Sequence, residues 1–269
     1  MQSPIDDLSA LVRPPRPFAD RARFVILMLL GVAFYVLCLN IAQVDFARLW
    51  AGLPRLANWA ARAWPPDLSE FSLLTQRAAE TVAMGVVGTS FGMIIAAPLC
   101  LLAARNVTPS RLLWLPARGL LNILRGVDSF VFALLLVAAV GLGPFAGVLG
   151  LALHSAGSIA KLWSETIETA KPGPIEAVAM SGASRLKVIR HAMLPDVLPS
   201  LASISLYMLE WSVRASTVLG VVGAGGIGQE LKNSVDLLAF DRVFTILLLI
   251  LAMVTIIDSV SGWLRKRLL

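Results

Sequence analysis

The chain has 269 residues, of which 57% are hydrophobic and only 15% are charged, and its mean hydropathy is +0.78. Soluble domains carry about 25% charged residues, so this composition excludes an ordinary soluble protein and predicts an integral membrane protein. The net charge of +6 does not indicate a nucleic-acid-binding protein, because the basic residues are neither clustered nor interleaved with aromatic residues. Cys38 and Cys100 lie in apolar segments and have neither metal-ligand spacing nor the pattern of a disulfide framework.

The N-terminal region divides into a polar tail and an apolar segment. Residues 1–23 are polar and contain Pro14, Pro15 and Pro17 and four arginines, which predict an extended cytoplasmic tail. Residues 24–42 are apolar over about the thickness of a membrane. Because this segment is longer than the apolar part of a signal peptide and no small-residue cleavage site follows it, it predicts an uncleaved first transmembrane helix.

Residues 43–70 differ from the segments on either side of them. Arg48, Arg55 and Arg62 recur every seven residues and form one stripe, opposite a set of leucine, alanine and phenylalanine side chains. Three tryptophans accompany them, as is common at a lipid–water boundary. This pattern predicts an amphipathic segment on the outer membrane surface, bent at Pro54. A solvated helix packed on the rest of the protein is the alternative.

Residues 71–264 contain five further apolar segments and are expected to form the core. The predicted spans cover residues 71–104, 120–140, 145–163, 197–222 and 240–264, which makes six with the first. In the second span Gly88, Gly92 and Ala96 repeat every four residues. Such small residues let transmembrane helices approach closely, so this face is expected to pack on another helix.

The distribution of basic residues predicts the orientation of these spans. With a cytoplasmic N-terminus, the inner segments, including residues 265–269, hold Arg13, Arg16, Arg21, Arg23, Arg105, Arg111, Arg118, Lys171, Arg185, Lys187, Arg190, Arg265, Lys266 and Arg267. The outer segments hold only Arg48, Arg55, Arg62, Lys232 and Arg242. Both termini and residues 171–195 are therefore expected in the cytoplasm.

This cytoplasmic segment predicts two short helices between prolines. Pro172 and Pro174 indicate a non-helical approach, and Pro195 and Pro199 indicate an interruption afterwards. Between them, residues 175–181 and 184–193 favour helices, with Gly182 as a stop and Ser184 as a cap. On the first helix, an apolar face too small for a core suits insertion into a groove of another protein. That face comprises Ile175, Val178, Ala179 and Gly182.

The same segment resembles the EAA loop of ABC importer permeases. The matching residues are Glu176, Ala177, Gly182, Leu194 and Pro195, at the spacing of that motif. Val178 and Ala192 depart from the usual Ala and Ile but keep small or apolar side chains. The resemblance implies that the loop couples the chain to an ATPase, whereas an ordinary helix–glycine–helix connector is the alternative.

Charged and polar residues inside the predicted spans are candidates for a solute pathway. They are Arg125, Asp128, His154, Glu210 and Arg214. Arg125 and Asp128, like Glu210 and Arg214, are close enough in sequence to neutralise each other on one helix face. Structural ion pairs are therefore one interpretation, and a pathway that attracts an anion is the other. For His154 a packing role is the alternative.

A glycine-rich segment follows the fifth span. Gly223, Gly225, Gly226 and Gly228 match the G-x-G-x-x-G pattern of dinucleotide-binding folds. The preceding apolar run is too long for a strand, and the chain lacks alternating strands and helices, which excludes that fold. The glycines instead predict a bend at the outer mouth, where the backbone faces water or protein.

The chain lacks the GxxxxGK[ST] loop of P-loop ATPases and the HExxH motif of metalloproteases, and no catalytic or metal-ligating residues are predicted. Most of the second half resembles phosphonate ABC transporter permeases. The resemblance rests on residues 138–147 (AAVGLGPFAG), 153–157 (LHSAG), 182–185 (GASR) and 213–228 (VRASTVLGVVGAGGIG). Residues 125–129 (RGVDS) depart from the family pattern, which leaves phosphite and hypophosphite open as solutes.

The resemblance implies an all-α type I ABC importer permease with a MetI-like fold, acting as a homodimer in the bacterial inner membrane. It implies two ATP-binding cassette subunits, which hold the ATP and Mg, and an extracytoplasmic solute-binding protein. This chain itself is expected to hold no cofactor and no nucleic acid. Two alternatives remain: an ABC permease for another solute such as an amino acid, and an ATP-independent anion carrier or channel.

Overall fold

The computed structural model describes residues 18–108 and 110–268, and these residues contain helices and connecting segments but no strand. The all-α prediction is therefore confirmed for this part of the chain. Most of the predicted tail, residues 1–17, lies outside the described residues. The helix assigned to residues 24–42 begins earlier, at Phe18, and ends at Ile41.

Eleven α-helices occur in the described residues. Their bounds are α1 (Phe18–Ile41), α2 (Phe46–Arg62), α3 (Phe71–Ala103), α4 (Arg111–Gly126), α5 (Ser129–Val140), α6 (Pro144–Glu168), α7 (Pro172–Met180), α8 (Arg185–Val188), α9 (Leu194–Leu219), α10 (Gly226–Asp236) and α11 (Phe240–Leu268). π-helical turns at Ile189–Met193 and Gly220–Ala224 adjoin the two ends of α9.

Five helical segments are long and apolar enough to cross a membrane, and a sixth span exists if α4 and α5 are counted together. These two helices meet at 86°. The six-span prediction thus holds if α4 and α5 are counted as one span. The third span, however, is a broken helix, whereas the sequence suggested one uninterrupted segment.

The chain divides into two compact units, Met1–Asn58 and Trp59–Leu269. In the first unit, the side chains of α1 from Arg23 to Ile41 are almost all exposed, so its apolar surface is available to lipid or to another protein. Asp45 directly precedes α2 and caps it, because its carboxylate accepts hydrogen bonds from the backbone N–H groups of Ala47 and Arg48. Pro54 lies inside α2.

In the second unit, α3 and α6 form the central crossing. A Cβ atom on Gly88 would lie 2.7 Å from Cβ of Leu151, and one on Gly92 would lie 2.7 Å from Cβ of Ser155. Larger side chains would therefore separate the helices, which confirms the close approach predicted from the repeated small residues.

Three groups of buried side chains hold the second unit together. Around one half of the crossing, Leu121, Ile159 and Met208 belong to a core shared by α4, α6 and α9. The other two groups are centred on Met84, Ala133, Leu151, Leu219 and Ala224, and on Leu74, Ile227 and Ile246. These contacts fix α9 and α10 against α3.

The helical path from Arg185 to Ala224 covers 40 residues and is kinked near its end, where Val222 and Gly223 have non-helical backbone angles. The sequence predicted an interruption at Pro195 and Pro199, and this was wrong. Pro195 occupies the first turn of α9, directly after the π-helical turn, and Pro199 lies within the helix. The wider turn removes the normal hydrogen-bonding pattern at the position where a proline ring would otherwise clash.

Candidate functional site

The break between α4 and α5 places polar groups at the surface of the chain, beside α9. The α4 helix ends at Gly126, Val127 is extended, and Asp128 caps α5 by accepting a hydrogen bond of 2.8 Å from the backbone N–H of Phe130. Broken helices occur within membranes where the freed backbone groups find partners or line a cavity. Asp128 therefore serves first as a helix cap.

His154 on α6 supports this break. Its Nδ1 lies 2.9 Å from the carbonyl oxygen of Val127, which can only accept, so the ring nitrogen donates. The Nε2 atom lies 3.4 Å from the hydroxyl of Ser158. The imidazole also stacks on Trp211 of α9, with ring centroids 4.6 Å apart. These contacts make His154 a bridge between the break and α9.

A cavity of about 360 Å³ lies between the break and α9. It is lined by Asp128, Ser129, Phe130, Trp211, Arg214, Ala215, Val218 and Leu219. The cavity thus combines the start of a helix, an aromatic ring and a guanidinium group. Helix N-termini and guanidinium groups both attract anions, and here each already has a carboxylate partner, Asp128 at the helix start and Asp258 at Arg214.

The ion pairs within the spans differ from those suggested by the sequence. Arg214 Nη1 lies 3.1 Å from Asp258 Oδ2, and both side chains are 43% exposed. Glu210 is buried and pairs with Arg265. Each pair joins α9 to α11. These helices run antiparallel, so Arg214 lies beside Asp258 and Glu210 lies beside Arg265. The suggested Glu210–Arg214 pair on one helix is wrong.

Arg125 and Asp128 do not pair either within the part of the chain that the structure describes. Arg125 is exposed near the end of α4, outside the residues that line the cavity, while Asp128 is used as a cap. The structure therefore brings together Asp128, His154 and Arg214. Sequence reasoning missed Trp211 and the partner Asp258, although an acidic residue inside an apolar span is a signal for such a role.

The glycine segment forms the predicted bend, and its backbone faces protein. Gly223, Gly225 and Gly226 all have positive φ. Residues 224–228 are buried, and the N–H of Ile227 donates a hydrogen bond of 2.8 Å to Thr81 Oγ1 on α3. A Cβ on Gly228 would lie 1.8 Å from the carbonyl oxygen of Thr217. This close backbone contact joins the start of α10 to the end of α9.

The segment resembling the EAA loop folds into α7 and α8. The helix α7 begins at Pro172, so the expectation of a non-helical approach was wrong; proline is accepted in a first turn, where no N–H partner is needed. Gly182 has φ +76° and ends the helix as predicted. Ser184 occupies the cap position of α8, but its side chain makes no capping hydrogen bond.

The face of α7 expected to enter another protein is partly covered by the chain itself. Ile175 packs against the buried core, and Ile175 and Ala179 line a groove of about 350 Å³ that also includes Val188 and Met193. The opposite side is open. Ile175 and Val178 are half-buried while Ala179 and Met180 are exposed, so the two sides of α7 differ in how far the chain covers them.

Three residues of the motif are exposed on α7 and directly after it. Glu176 and Ala177 are exposed, as is Gly182. Two large apolar side chains accompany them, since Met180 is 83% exposed and Leu186 is 75% exposed. At the following helix, Leu194 and Pro195 are exposed as well. The exposed motif residues and these apolar side chains thus lie on the same part of the surface.

The chain was compared with known protein families and with curated proteins. Residues 88–269 match the family described as binding-protein-dependent transport system inner membrane component. HtxC of Stutzerimonas stutzeri, named provisionally as a phosphite transport system permease protein, is 48% identical over 96% of this chain and 89% of its own length. The phosphite transport system permease protein PtxC of the same organism is 42% identical over 85% of this chain and 83% of its own.

Solved structures support the same fold. The permease chain of the inward-facing MetNI methionine ABC transporter superposes with a TM-score of 0.66 and 24% identity, covering 76% of this chain and 99% of that chain. Together with the helical architecture, this confirms the MetI-like fold. The chain is a multi-pass membrane protein that belongs to the family of binding-protein-dependent transport system inner membrane components, the permease subunits of ABC importers.

Proposed function

We propose that this chain forms the translocation pathway of an importer for phosphite or a related phosphorus oxyanion, such as a phosphonate or hypophosphite. The observation that carries the proposal is the similarity to HtxC and PtxC, both named for phosphite transport, over most of the chain. The cavity beside Arg214 supports it, because guanidinium groups hold two oxygens of such anions at once.

The proposed assembly is a homodimer in the bacterial inner membrane, with both termini in the cytoplasm. Two ATPase subunits bind ATP and Mg below it, and a solute-binding protein delivers the anion from outside. The charge bias of the sequence supports this orientation. The exposed surface of Glu176, Ala177 and Met180 supports docking of the ATPase at α7.

The helical path from Arg185 to Ala224 supports a direct mechanism of coupling. It begins beside α7, carries Trp211 and Arg214 past the cavity, and ends at the glycine segment. When ATP closes the two ATPase subunits, movement of α7 is passed along this path as a rigid displacement. The cavity then changes its access from one side of the membrane to the other.

The glycine segment has a proposed role at the outer end of that path. Gly223, Gly225, Gly226 and Gly228 shape the turn between α9 and α10, so displacement of α9 moves this turn as well. We assign the turn to the outer gate, where the binding protein releases its anion. Arg125, which lies outside the cavity, is assigned no contact with solute at this stage of the cycle.

The test is uptake of radiolabelled phosphite by cells that express the chain with its neighbouring ATPase and binding protein. Deleting the chain is expected to abolish uptake, and an ATPase variant unable to hydrolyse ATP is expected to do the same. Unlabelled phosphonate, hypophosphite, phosphate and methionine serve as competitors. Competition by methionine alone would identify an amino acid permease, and uptake without ATP hydrolysis would identify an independent carrier.

Orientation has a separate test. His191 is exposed beside α7, so a cysteine placed there should react with an impermeant reagent only after the cells are opened. Cys38 and Cys100 are first replaced by serine to remove the native thiols. Labelling of residue 191 in intact cells would contradict a cytoplasmic α7 and with it the docking of an ATPase there.

A further inference from the structure

A second cavity lies between the end of α3 and the start of α4, away from the cavity beside Arg214. Its volume is about 460 Å³, and it is lined by Arg105, Thr108, Ser110, Arg111 and Trp114. The Asn106 backbone in the same connection accepts a hydrogen bond of 3.2 Å from Arg185 Nη2. The cavity is therefore at the end of the bundle where α7 and α8 lie.

The arginines around this cavity are not equally neutralised. Arg118 lies 2.8 Å from Glu168 Oε1 and also donates to the carbonyl oxygen of Ala103. In contrast, Arg105 and Arg111 form no ion pair with any residue in the described ranges 18–108 and 110–268. Two positive charges at the cavity thus remain available to an anion.

Trp114 connects the charges to the cavity wall. The guanidinium carbon of Arg105 lies 4.6 Å from the centroid of the indole ring, which holds this cation over an aromatic face. The indole N–H is buried and, within the described part of the chain, has no hydrogen-bond acceptor. Because this nitrogen is buried beyond the reach of solvent, Trp114 contributes to the cavity by holding Arg105 over its ring and not by donating to a ligand.

The surroundings of the cavity are suited to lipid. Leu112 and Leu115, in the first turns of α4, are 84% and 66% exposed. The cavity follows directly after the apolar helix α3, which ends at Ala103 and crosses the membrane. Basic pockets at this level of a membrane protein bind anionic head groups, while neighbouring apolar side chains contact the acyl chains.

We propose that this cavity binds the phosphate group of an anionic phospholipid, with Arg105 and Arg111 as its ligands. Trp114 supplies the wall and holds Arg105 in place, and the exposed leucines lie against the acyl chains. Free phosphate shares the head-group chemistry but lacks the acyl chains, so it is expected to bind far more weakly. This site goes beyond the proposed transport function and does not depend on which solute is carried.

The experiment is native mass spectrometry of the full-length chain in detergent, titrated with phosphatidylglycerol or phosphatidylcholine. Phosphatidylglycerol is expected to bind at one site per chain and to be preferred over phosphatidylcholine. Replacing either arginine, as Arg105→Gln or Arg111→Gln, should weaken binding roughly fivefold, because a basic residue near a membrane contributes about that factor. Arg105→Lys and Arg111→Lys keep the charge and should retain most of the binding.

The matched control is Arg62→Gln, which removes the same charge from the exposed end of α2, where Trp59 stacks on Phe240 at the start of α11. It should leave lipid binding unchanged. Equal weakening by all three glutamine variants, or no preference for phosphatidylglycerol, would overturn the proposal. Displacement of the lipid by millimolar inorganic phosphate would also overturn it, by assigning the cavity to a soluble anion.

Discussion

Two glycine-containing turns of this protein serve opposite purposes. At the end of α9, a side chain on Gly228 would collide with the carbonyl oxygen of Thr217, because the backbones of α9 and α10 touch. At the end of α7, Gly182 also departs from ordinary backbone geometry, with φ +76°, yet no atom lies within 4 Å of the position its Cβ would occupy. One turn is closed by the chain itself, and the other is open.

The difference indicates where each end of the helical path is held. The glycine segment is fixed by buried contacts to α3, including the hydrogen bond from Ile227 to Thr81. The α7 end is held through Ile175 and through the backbone N–H of Lys171, which donates to Asp196, and it leaves Met180 exposed. A permease that receives motion from another subunit needs such an asymmetry, because the receiving end must remain available for docking.

The largest expected effect is at the closed turn. Gly228→Ala places a methyl group against backbone, which cannot move aside as a flexible side chain can, and overpacking of this kind costs about 3 kcal/mol or more. The melting temperature in detergent should fall by roughly 5–10 °C. Gly262→Ala in α11, where no atom lies within 4 Å, is the control and should be close to neutral. Equal melting temperatures for the Gly228→Ala and Gly262→Ala variants would refute the close backbone contact between α9 and α10.

The open turn should respond in function and not in stability. Aspartate tolerates positive φ, so Gly182→Asp preserves the turn. It places a charge where we propose that the ATPase docks. Uptake should fall about tenfold or more while ATP hydrolysis continues, since burying an unpaired charge costs several kcal/mol. The isosteric variant Gly182→Asn should lose much less. If Gly182→Asp transports like the original protein, the turn has no role in coupling.

The next largest effect is expected at the ion pair between Arg214 of α9 and Asp258 of α11. Both partners are half-exposed, so breaking the pair should change stability by about 1 kcal/mol or less. If Arg214 also attracts the anion, Arg214→Gln should reduce apparent affinity about fivefold, more than Asp258→Asn does. Initial uptake rates over a range of phosphite concentrations distinguish the two variants. Identical losses, restored in the double variant, would leave Arg214 with a structural role alone.

The smallest effect is expected at the break between α4 and α5. His154→Phe preserves an aromatic ring beside Trp211 but removes the hydrogen bond to the Val127 carbonyl, which is worth about 1 kcal/mol. The melting temperature should decrease by roughly 2–4 °C. His191→Phe is the control, because that exposed ring bonds only to Lys187 on its own helix, and it should change little.

Sequence patterns predicted those features that depend on short-range spacing. The repeated small residues Gly88 and Gly92 indicated a helix crossing, and Gly182 indicated a helix end, because each of these depends on its own backbone or face. The break at Asp128 was not predicted, since its carboxylate was interpreted as half of an ion pair with Arg125. An aspartate three residues after an arginine is compatible with both a helix cap and an ion pair, so the sequence does not distinguish the two roles.

Features that depend on how helices meet could not be obtained from spacing. The pairing of Arg214 with Asp258 depends on the relative register of α9 and α11, which no local pattern encodes. In α7, three- and four-residue spacing correctly grouped Ile175 with Ala179 on one face. It did not reveal that this face would line a groove together with Val188 and Met193 of the same chain.

The central claim is that the exposed side of α7 contacts a separate ATPase. Its most direct measurement is photo-crosslinking in the assembled complex, with a photoreactive residue placed at Met180 on the open side or at Ile175 on the covered side. The account predicts a crosslink to the ATPase from position 180 and none from position 175. Crosslinking from position 175 alone would contradict it and return the docking surface to the face that the sequence first suggested.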